Sequence, residues 1–133
     1  MTAYLLDTNA FLWLALDPAS IRREAHDSIA DAPLFVSVIS AAEVAIKASI
    51  GKLPLPPPFG IDFDVAFATM AEREGVDVLP LELSVMSRLR HLPFHHRDPF
   101  DRMLICQALD LGLTVATRDR WFSLYEGLGV LDV

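Results

Sequence analysis

Apolar residues in this chain occur in short unbroken runs, and the first run begins almost at the N-terminus. It covers residues 4–6 and stops at a carboxylate, Asp7. An unbroken apolar run does not suit a half-exposed strand, which would alternate, but it suits a parallel strand covered on both faces. Further runs that predict strands lie at 34–38, 76–79, 113–117 and 129–131. We expect the third of these five strands at a sheet edge, because it contains Asp77 and is followed by Pro80.

Between these runs, apolar residues recur at helical spacing. The predicted helices cover residues 9–16, 21–29, 40–50, 61–74, 84–92, 99–111 and 121–125. Ser20 is the predicted cap of the second helix, and Ser40 with Glu43 forms a capping box that opens the third. The proline-rich segment 52–58 predicts an extended connector. Strands alternating with helices predict one domain, 1–133, with a mostly parallel five-stranded sheet covered by helices on both faces.

The composition is unusually apolar for a small monomer. Hydrophobic residues make up 53% of the 133 residues, and the mean hydropathy is +0.37. Part of this apolar surface should therefore face another chain, so we predict a homo-oligomer. The sequence shows no signal peptide and no run near the ~18 apolar residues of a membrane span, so we expect a cytoplasmic protein without a membrane partner. Cys106 is the single cysteine, which excludes an internal disulfide, and its apolar helical setting predicts a buried, inert thiol.

The formal net charge of −7 argues against a broad electrostatic attraction to nucleic acid. The basic residues are not spread evenly, however. Four arginines flank acids in two short stretches: Arg97, Arg102, Arg118 and Arg120. This distribution predicts a local positive rim around an acidic centre, which would suit a polyanion held through metal ions.

Acidic residues follow several of the predicted strands at the points where helices begin. They are Asp7, Glu43, Asp98, Asp101 and Asp119. In a parallel sheet all strand-to-helix turns lie at the same edge, so these carboxylates can converge. Converging carboxylates repel one another unless a divalent cation neutralises them, and oxygen ligands favour Mg²⁺ or Mn²⁺. The pattern therefore predicts a metal site.

Each acid also has a purely structural interpretation. Asp7 and Asp98 could cap helices, Glu43 could be the capping-box partner of Ser40, the helix dipole could favour Asp101, and Asp119 could be a turn residue. Capping requires no more than one acid per helix, however. A carboxylate at the end of an apolar strand, such as Asp7, is also costly without a partner. Taken together, the acids favour the metal site.

The remaining polar and aromatic residues leave alternatives open. His95 and His96 could act as a general base or as ligands, but we favour their interpretation as part of a polar loop leading to the Asp98 cap, with contact to RNA as the functional alternative. Lys47 is either an i, i+4 ion partner of Glu43 or a phosphate contact. Four aromatic residues could stack on bases, but packing in the core or between subunits is favoured for all of them except Tyr125. The four are Trp13, Trp121, Phe122 and Tyr125. A glycine-rich phosphate loop and a Gly-x-Ser-x-Gly elbow are both absent from the sequence, which excludes dinucleotide binding, P-loop and serine-hydrolase chemistry of those types.

Four segments together resemble the PIN-domain ribonucleases, in particular the VapC-like toxins of prokaryotic toxin–antitoxin pairs. The segments are Leu5-Leu6-Asp7-Thr8-Asn9, Ser40-Ala41-Ala42-Glu43, His96-Arg97-Asp98-Pro99-Phe100-Asp101-Arg102-Met103-Leu104 and Val115-Ala116-Thr117-Arg118-Asp119. The connector Gly51-Lys52-Leu53-Pro54-Leu55-Pro56 resembles one subgroup of that family. The sequence departs from the pattern of that family at Asn9, where many close relatives have His. This difference puts a direct role of position 9 in doubt.

The resemblance implies an α/β/α sandwich, a homodimer and a Mg²⁺- or Mn²⁺-dependent endoribonuclease that cuts structured RNA and is inhibited by a cognate antitoxin. By motif position it implies that the catalytic and metal-binding acids are Asp7, Glu43, Asp101 and Asp119, with Asp98 as an additional acid. The implied substrate-binding residues are Thr117, Arg97, Arg102, Arg118 and Lys47. A metal held chiefly by Asp7 and Asp101 would lower the pKa of a bound water and neutralise the scissile phosphate.

Two alternatives of another class remain. The chain could be a catalytically silent PIN-like module that binds RNA or protein, or its acids could be helix caps in a domain that pairs with another chain. The complete set of acids argues against both.

Overall fold

Five short strands form one central parallel sheet in the computed structural model, which describes residues 1–133 except for the side chains of Pro58 and Ile61. The strands are β1 (Tyr4–Leu6), β2 (Leu34–Ser37), β3 (Val76–Leu79), β4 (Thr114–Thr117) and β5 (Val130–Asp132). Their order across the sheet is β3-β2-β1-β4-β5, and all four neighbouring pairs are parallel. The predicted sheet is confirmed, with β1 at its centre and β3 at an edge.

Helices occupy the connections between the strands. They are α1 (Thr8–Leu16), α2 (Arg23–Ile29), α3 (Val38–Ser49), α4 (Pro57–Ile61), α5 (Phe63–Arg73), α6 (Val85–His91) and α7 (Pro99–Leu111), with 3₁₀ helices at Pro18–Ser20 and Arg120–Leu124. No helix among the residues that the structure describes is long and apolar enough to cross a membrane. The mixed α/β architecture confirms the predicted fold class.

Both faces of β1 are buried, which explains its unbroken apolar sequence. Leu6 belongs to a core cluster with Phe11 of α1 and Phe67 of α5. Leu5, whose side chain points to the opposite face, belongs to a second cluster with Leu104 and other residues of α7. The sheet therefore separates two hydrophobic layers, as expected for parallel strands with helices on both sides.

The strand register brings three strand ends to one edge. Leu6 pairs with Val36 of β2 and with Ala116 of β4, so the residues that follow these strands lie side by side. The backbone amide of Asp7 continues the ladder by donating to the carbonyl of Ala116 at 3.0 Å. Asp7 is thus fixed at the carboxyl edge of the sheet.

Two predicted helix starts are wrong. Ser20 does not cap α2, because Pro18–Ser20 forms a 3₁₀ turn, and the Ser20 hydroxyl donates to Asp17 Oδ2 at 2.5 Å. The Ser40–Glu43 capping box is not formed either, because α3 begins directly after β2. Its cap is Ser37, whose Oγ accepts from the amide of Ile39 at 3.0 Å.

The connection between α3 and β3 also differs from its prediction. The extended connector predicted over 52–58 ends earlier, because α4 begins at Pro57. Proline is tolerated at a first helical position, where its missing N–H is not needed. The helix predicted over 61–74 corresponds to α5, which begins two residues later, at Phe63, because Asp62 separates it from α4.

Candidate metal centre

A small cavity of about 150 Å³ opens at the carboxyl edge of the sheet. Every acid that the sequence predicted for the site lines it. These are Asp7, Glu43, Asp98, Asp101 and Asp119. The turns after β1 and β4 contribute Asp7 and Asp119, while α3 contributes Glu43 and the start of α7 contributes Asp98 and Asp101. The parallel topology therefore produces the convergence expected from the sequence.

Asp7 is buried and uses its two carboxylate oxygens differently. Oδ1 accepts from the backbone amide of Ala10 at 2.8 Å and caps α1. Oδ2 accepts from the Thr117 hydroxyl at 2.6 Å. Burial, helped by the charges of Glu43 and Asp119, raises the pKa of Asp7 to about 6 against the opposing effect of these two hydrogen bonds. Asp7 is both a helix cap and a member of the acidic cluster.

Asp101 is the acid most strongly affected by its neighbours. Burial first, and then the negative charges of the four other acids with Asp98 foremost, raise the pKa of Asp101 to about 8. Asp98 caps α7 by accepting from the amides of Phe100 at 2.8 Å and Asp101 at 3.3 Å. Five carboxyl groups line the cavity with two cationic side chains, Lys47 and Arg118. Such an excess of oxygen donors with negative charge fits a hard divalent cation, which would favour the ionised forms.

Glu43 is buried and held by two side chains. It accepts from the Thr8 hydroxyl at 2.7 Å, and Thr8 Oγ1 also lies 2.9 Å from Ser40 Oγ. Lys47 Nζ lies 2.5 Å from Glu43 Oε2, and this hydrogen bond raises the pKa of Lys47. Lys47 therefore has the i, i+4 role, although it also lines the cavity.

His96 contacts two acids of the site, although the sequence interpretation favoured a role for it in a polar loop. Its Nδ1 accepts from the amide of Asp98 at 3.2 Å, which leaves Nε2 as the protonated nitrogen. Nε2 lies 2.7 Å from Asp119 Oδ2 and 3.2 Å from Asp101 Oδ2. Potential ligand atoms of these three residues lie within 4.8 Å of one another. The signal that could have identified His96 is its spacing, two residues before Asp98 and five before Asp101.

Thr117 is nearly inaccessible and connects two of the acids. Its hydroxyl donates to Asp7, and its oxygen accepts from the amide of Asp119 at 3.0 Å. The structure therefore places Thr117 as a positioning residue for Asp7 and Asp119 and does not expose it to a substrate.

The structure separates the three arginines that the resemblance assigned to substrate binding. The substrate-binding role expected for Arg102 does not fit the structure, because this side chain is buried. It donates to the carbonyls of Leu92 at 3.0 Å, Pro93 at 2.9 Å and His96 at 3.1 Å. Arg118 lines the acidic cavity, with its guanidinium 4.1 Å from the centre of the Trp13 ring. Arg97 is exposed. Arg97 and Arg118 thus both lie at the surface, although Arg118 also donates to the backbone carbonyls of Ser20 and Val133. Arg102 instead shapes the loop that carries His96.

Comparisons with known proteins identify a family model that matches the chain and solved structures of similar fold. The PIN domain family model matches residues 4–128. A comparison with curated protein sequences gives no match. Among solved structures, VapBC2 from Rickettsia felis bound to a DNA fragment from their promoter has a TM-score of 0.70 at 14% identity, covering 98% of each chain.

Two further solved structures give similar values. DNA-bound VapBC from Salmonella typhimurium has a TM-score of 0.63 at 22% identity, covering 99% of this chain and 98% of that chain. VapBC-1 from nontypeable Haemophilus influenzae has a TM-score of 0.64 at 21% identity, covering 98% of both chains. Because these sequence identities are low, the solved structures show that the chain shares their fold.

Proposed function

Since the chain belongs to the PIN-domain family, we propose that it is a metal-dependent endoribonuclease that hydrolyses phosphodiester bonds in structured RNA such as tRNA or rRNA. The observation that carries the proposal is the convergence of five carboxylates in one small cavity. Burial and mutual repulsion hold the pKa values of Asp7 and Asp101 well above their ordinary range. A cluster of this kind is stabilised by a divalent cation.

The residues that would hold Mg²⁺ or Mn²⁺ are Asp7, Glu43, Asp101 and Asp119, with Asp98 as an additional acid. When bound, such a cation neutralises charge on the scissile phosphate and lowers the pKa of a water molecule. The carboxylates converge from separate elements, so the fold itself keeps them together. This arrangement supports hydrolysis of a phosphodiester more directly than passive binding of RNA, because without a metal the carboxylates would repel the phosphates of the RNA.

The chain's own side chains orient these acids. Thr117 and the amide of Ala10 fix the two oxygens of Asp7. His96 holds Asp119 through Nε2, and Lys47 holds Glu43. Arg97 and Arg118 would contact phosphates that flank the scissile bond. Because these contacts are already formed, little reorganisation would be needed when RNA binds.

We further propose that the protein is the toxin of a toxin–antitoxin pair, is neutralised by a cognate antitoxin and acts on RNA in the cytoplasm as a homodimer. The full-length likeness in fold to chains of VapBC complexes supports an antitoxin partner. An exposed apolar line on α3 supports the homodimer. It consists of Val38, Ala42, Ile46 and Ile50.

Cleavage of tRNA and rRNA by the purified protein in Mg²⁺, in Mn²⁺ and in EDTA tests the nuclease proposal. We expect the wild type to cleave only with a divalent cation. Asp101→Asn should lower the cleavage rate by roughly 100-fold or more. Asp110→Asn is the matched control, because Asp110 also lies on α7 but pairs with Arg88 outside the cavity.

Circular dichroism should show that both variants retain the fold. Cleavage that persists in EDTA, or full activity in Asp101→Asn, would contradict the proposal. RNA binding without cleavage under every metal condition would instead identify the catalytically silent alternative.

A further inference from the structure

A second cavity, of about 480 Å³, lies directly beside the acidic one. Its lining residues are Phe94, His95, His96, Arg97, Asp98 and Trp121. Asp98 lines both cavities, and His96 contacts two of the acids. The volume falls within the roughly 300–1,000 Å³ of small-ligand sites. Any RNA segment that reached the acids could therefore place a neighbouring nucleotide here.

Two aromatic side chains at this cavity are open to solvent. Phe94 is 80% exposed and Trp121 is 53% exposed. The other aromatic residues of the same region behave differently, because Phe122 and Tyr125 are buried in the core. Leaving two large rings exposed forgoes apolar burial. When such rings line one cavity beside a proposed RNA-cleaving site, base stacking offers a reason for their exposure.

Phe94 is held in place from within the protein. The guanidinium carbon of Arg102 lies 3.8 Å from the centre of the Phe94 ring. Arg102 is itself fixed by three backbone carbonyls, those of Leu92, Pro93 and His96. A ring oriented in this way loses little conformational freedom when a ligand stacks on it, which favours binding.

The charges at this cavity differ from those of the whole chain. The chain carries a formal net charge of −7, whereas this cavity is lined by one cationic side chain, the exposed Arg97, and one anionic side chain, Asp98. The cavity therefore has no excess of negative charge. Among the side chains that the structure describes, Arg97 forms no ion pair. Aromatic rings next to an available cation match the chemistry of a nucleotide, which has a flat base and an anionic phosphate.

We propose that this cavity binds one unpaired nucleobase of the RNA substrate, stacked on Phe94 and Trp121, with Arg97 at the adjacent phosphate. The site would hold a nucleotide next to the scissile bond and would favour cleavage in loops over cleavage within paired stems, whose bases are already stacked. The inference rests on the proposed ribonuclease function, because it assigns part of that substrate to the cavity.

The test measures binding of RNA without cleavage. Fluorescence anisotropy gives the Kd of 5′-fluorescein-labelled decauridylate in Mg²⁺. All proteins carry Asp101→Asn so that the RNA is not cleaved, and a gel confirms that the probe stays intact. Phe94→Ala and Trp121→Ala should each raise the Kd about tenfold. Phe94→Leu should also weaken binding, because leucine keeps apolar bulk but has no aromatic face. Phe94→Tyr should restore it.

Exposed apolar residues away from the cavity provide matched controls. Leu83 is 85% exposed and Leu111 is 54% exposed, so Leu83→Ala and Leu111→Ala match the two aromatic variants in exposure and should leave the Kd unchanged. A decamer with the same backbone but without bases should bind all the proteins equally weakly, because it offers nothing to stack.

The proposal would be overturned if Phe94→Ala and Trp121→Ala bound the RNA with the same Kd as the protein that retains both aromatic rings. It would also fail if these variants bound RNA normally but lost self-association in light scattering, since the rings would then form a protein contact. The two proposals fail separately. RNA binding that depends on Phe94 and Trp121, in a protein without metal-dependent cleavage, rejects the nuclease and keeps the base site. Cleavage by a wild type whose ring variants bind RNA normally rejects the base site alone.

Discussion

At the scale of single residues, Asp7 serves the fold and the candidate site with the same carboxylate. Its Oδ1 accepts the Ala10 amide and its Oδ2 accepts the Thr117 hydroxyl. Each oxygen of an ionised carboxylate can accept more than one hydrogen bond or ligand contact. Asp7 can therefore hold a cation while it still caps α1, and the cap fixes the position of the proposed ligand.

Arg102 gives a prediction at the same scale. Arg102→Ala removes the hydrogen bonds that Arg102 donates to the carbonyls of Leu92, Pro93 and His96. Of these three, the Pro93 carbonyl keeps a second donor, the Tyr125 hydroxyl. We expect the free energy of unfolding to fall by about 2–4 kcal/mol, because buried hydrogen bonds from a charged group are lost and their acceptors remain. Urea denaturation at pH 7 measures the change. Arg97→Ala, on the exposed side of the same loop, should change it by less than about 0.5 kcal/mol. Equal losses in both variants would contradict the assigned role of Arg102.

The sequence predicted which acids converge in one cavity, but not the contacts that orient them. Asp7 could be placed because an apolar run ends at it, and a parallel sheet brings such ends together. The hydrogen bond from Thr117 to Asp7 joins residues 110 positions apart. The burial of His96 depends on the path of a loop that Arg102 and the Tyr125 hydroxyl hold. Local sequence patterns do not specify contacts of this kind.

At the scale of elements, the start of α3 shows why one capping pattern misled the prediction. Ser40 and Glu43 have the spacing of a capping box, but the same spacing also places two side chains on one face within a helix. Here β2 leads into α3 without a loop, and Ser37 at the junction is the cap. Ser40 and Glu43 instead lie near Thr8 of α1. The pattern correctly indicated a helix, and only tertiary contacts decide where it begins.

Ser37 therefore provides an element-scale prediction. Ser37→Ala removes the acceptor of the Ile39 amide and should lower the free energy of unfolding by about 1 kcal/mol. Urea denaturation with an unchanged m value would show that stability alone has changed. Ser28→Ala is the control, since Ser28 is exposed in α2 and its hydroxyl donates to the carbonyl of Glu24. That variant should be neutral or slightly stabilising, because alanine favours helix. A neutral Ser37→Ala would show that Ser37 is not the cap that α3 requires.

At the scale of the whole molecule, alternation of strands and helices sufficed to predict a parallel sheet with two covered faces. The edge position of β3 also followed from the sequence, through Asp77 and Pro80. The strand order β3-β2-β1-β4-β5 did not, because it depends on the direction in which each connection crosses the sheet. Periodicity within a segment carries no information about that direction.

The acidic cluster should make the stability of the whole metal-free protein depend on pH. Burial and neighbouring charges raise the pKa of Asp7 to about 6 and that of Asp101 to about 8, whereas in the unfolded chain both titrate near ~4. Between these values the folded protein retains protons that the unfolded chain releases. The contribution of these two carboxyl groups to stability should therefore be fully present below about pH 4 and be lost as the pH rises to about 8. For Asp7 alone the loss is about 3 kcal/mol.

Thermal denaturation in EDTA and in Mg²⁺ between pH 5 and pH 8 checks this dependence. In EDTA we expect the Tm to fall with rising pH, by roughly 10 °C over the range. Mg²⁺ should raise the Tm most at pH 8, because a cation stabilises the ionised carboxylates that the fold otherwise disfavours. Asp101→Asn should reduce both the fall in EDTA and the gain in Mg²⁺, whereas Asp110→Asn should reduce neither. A Tm in EDTA that rises from pH 5 to pH 8, or a gain in Mg²⁺ that is the same in Asp101→Asn, would show that these carboxylates do not form the proposed metal site.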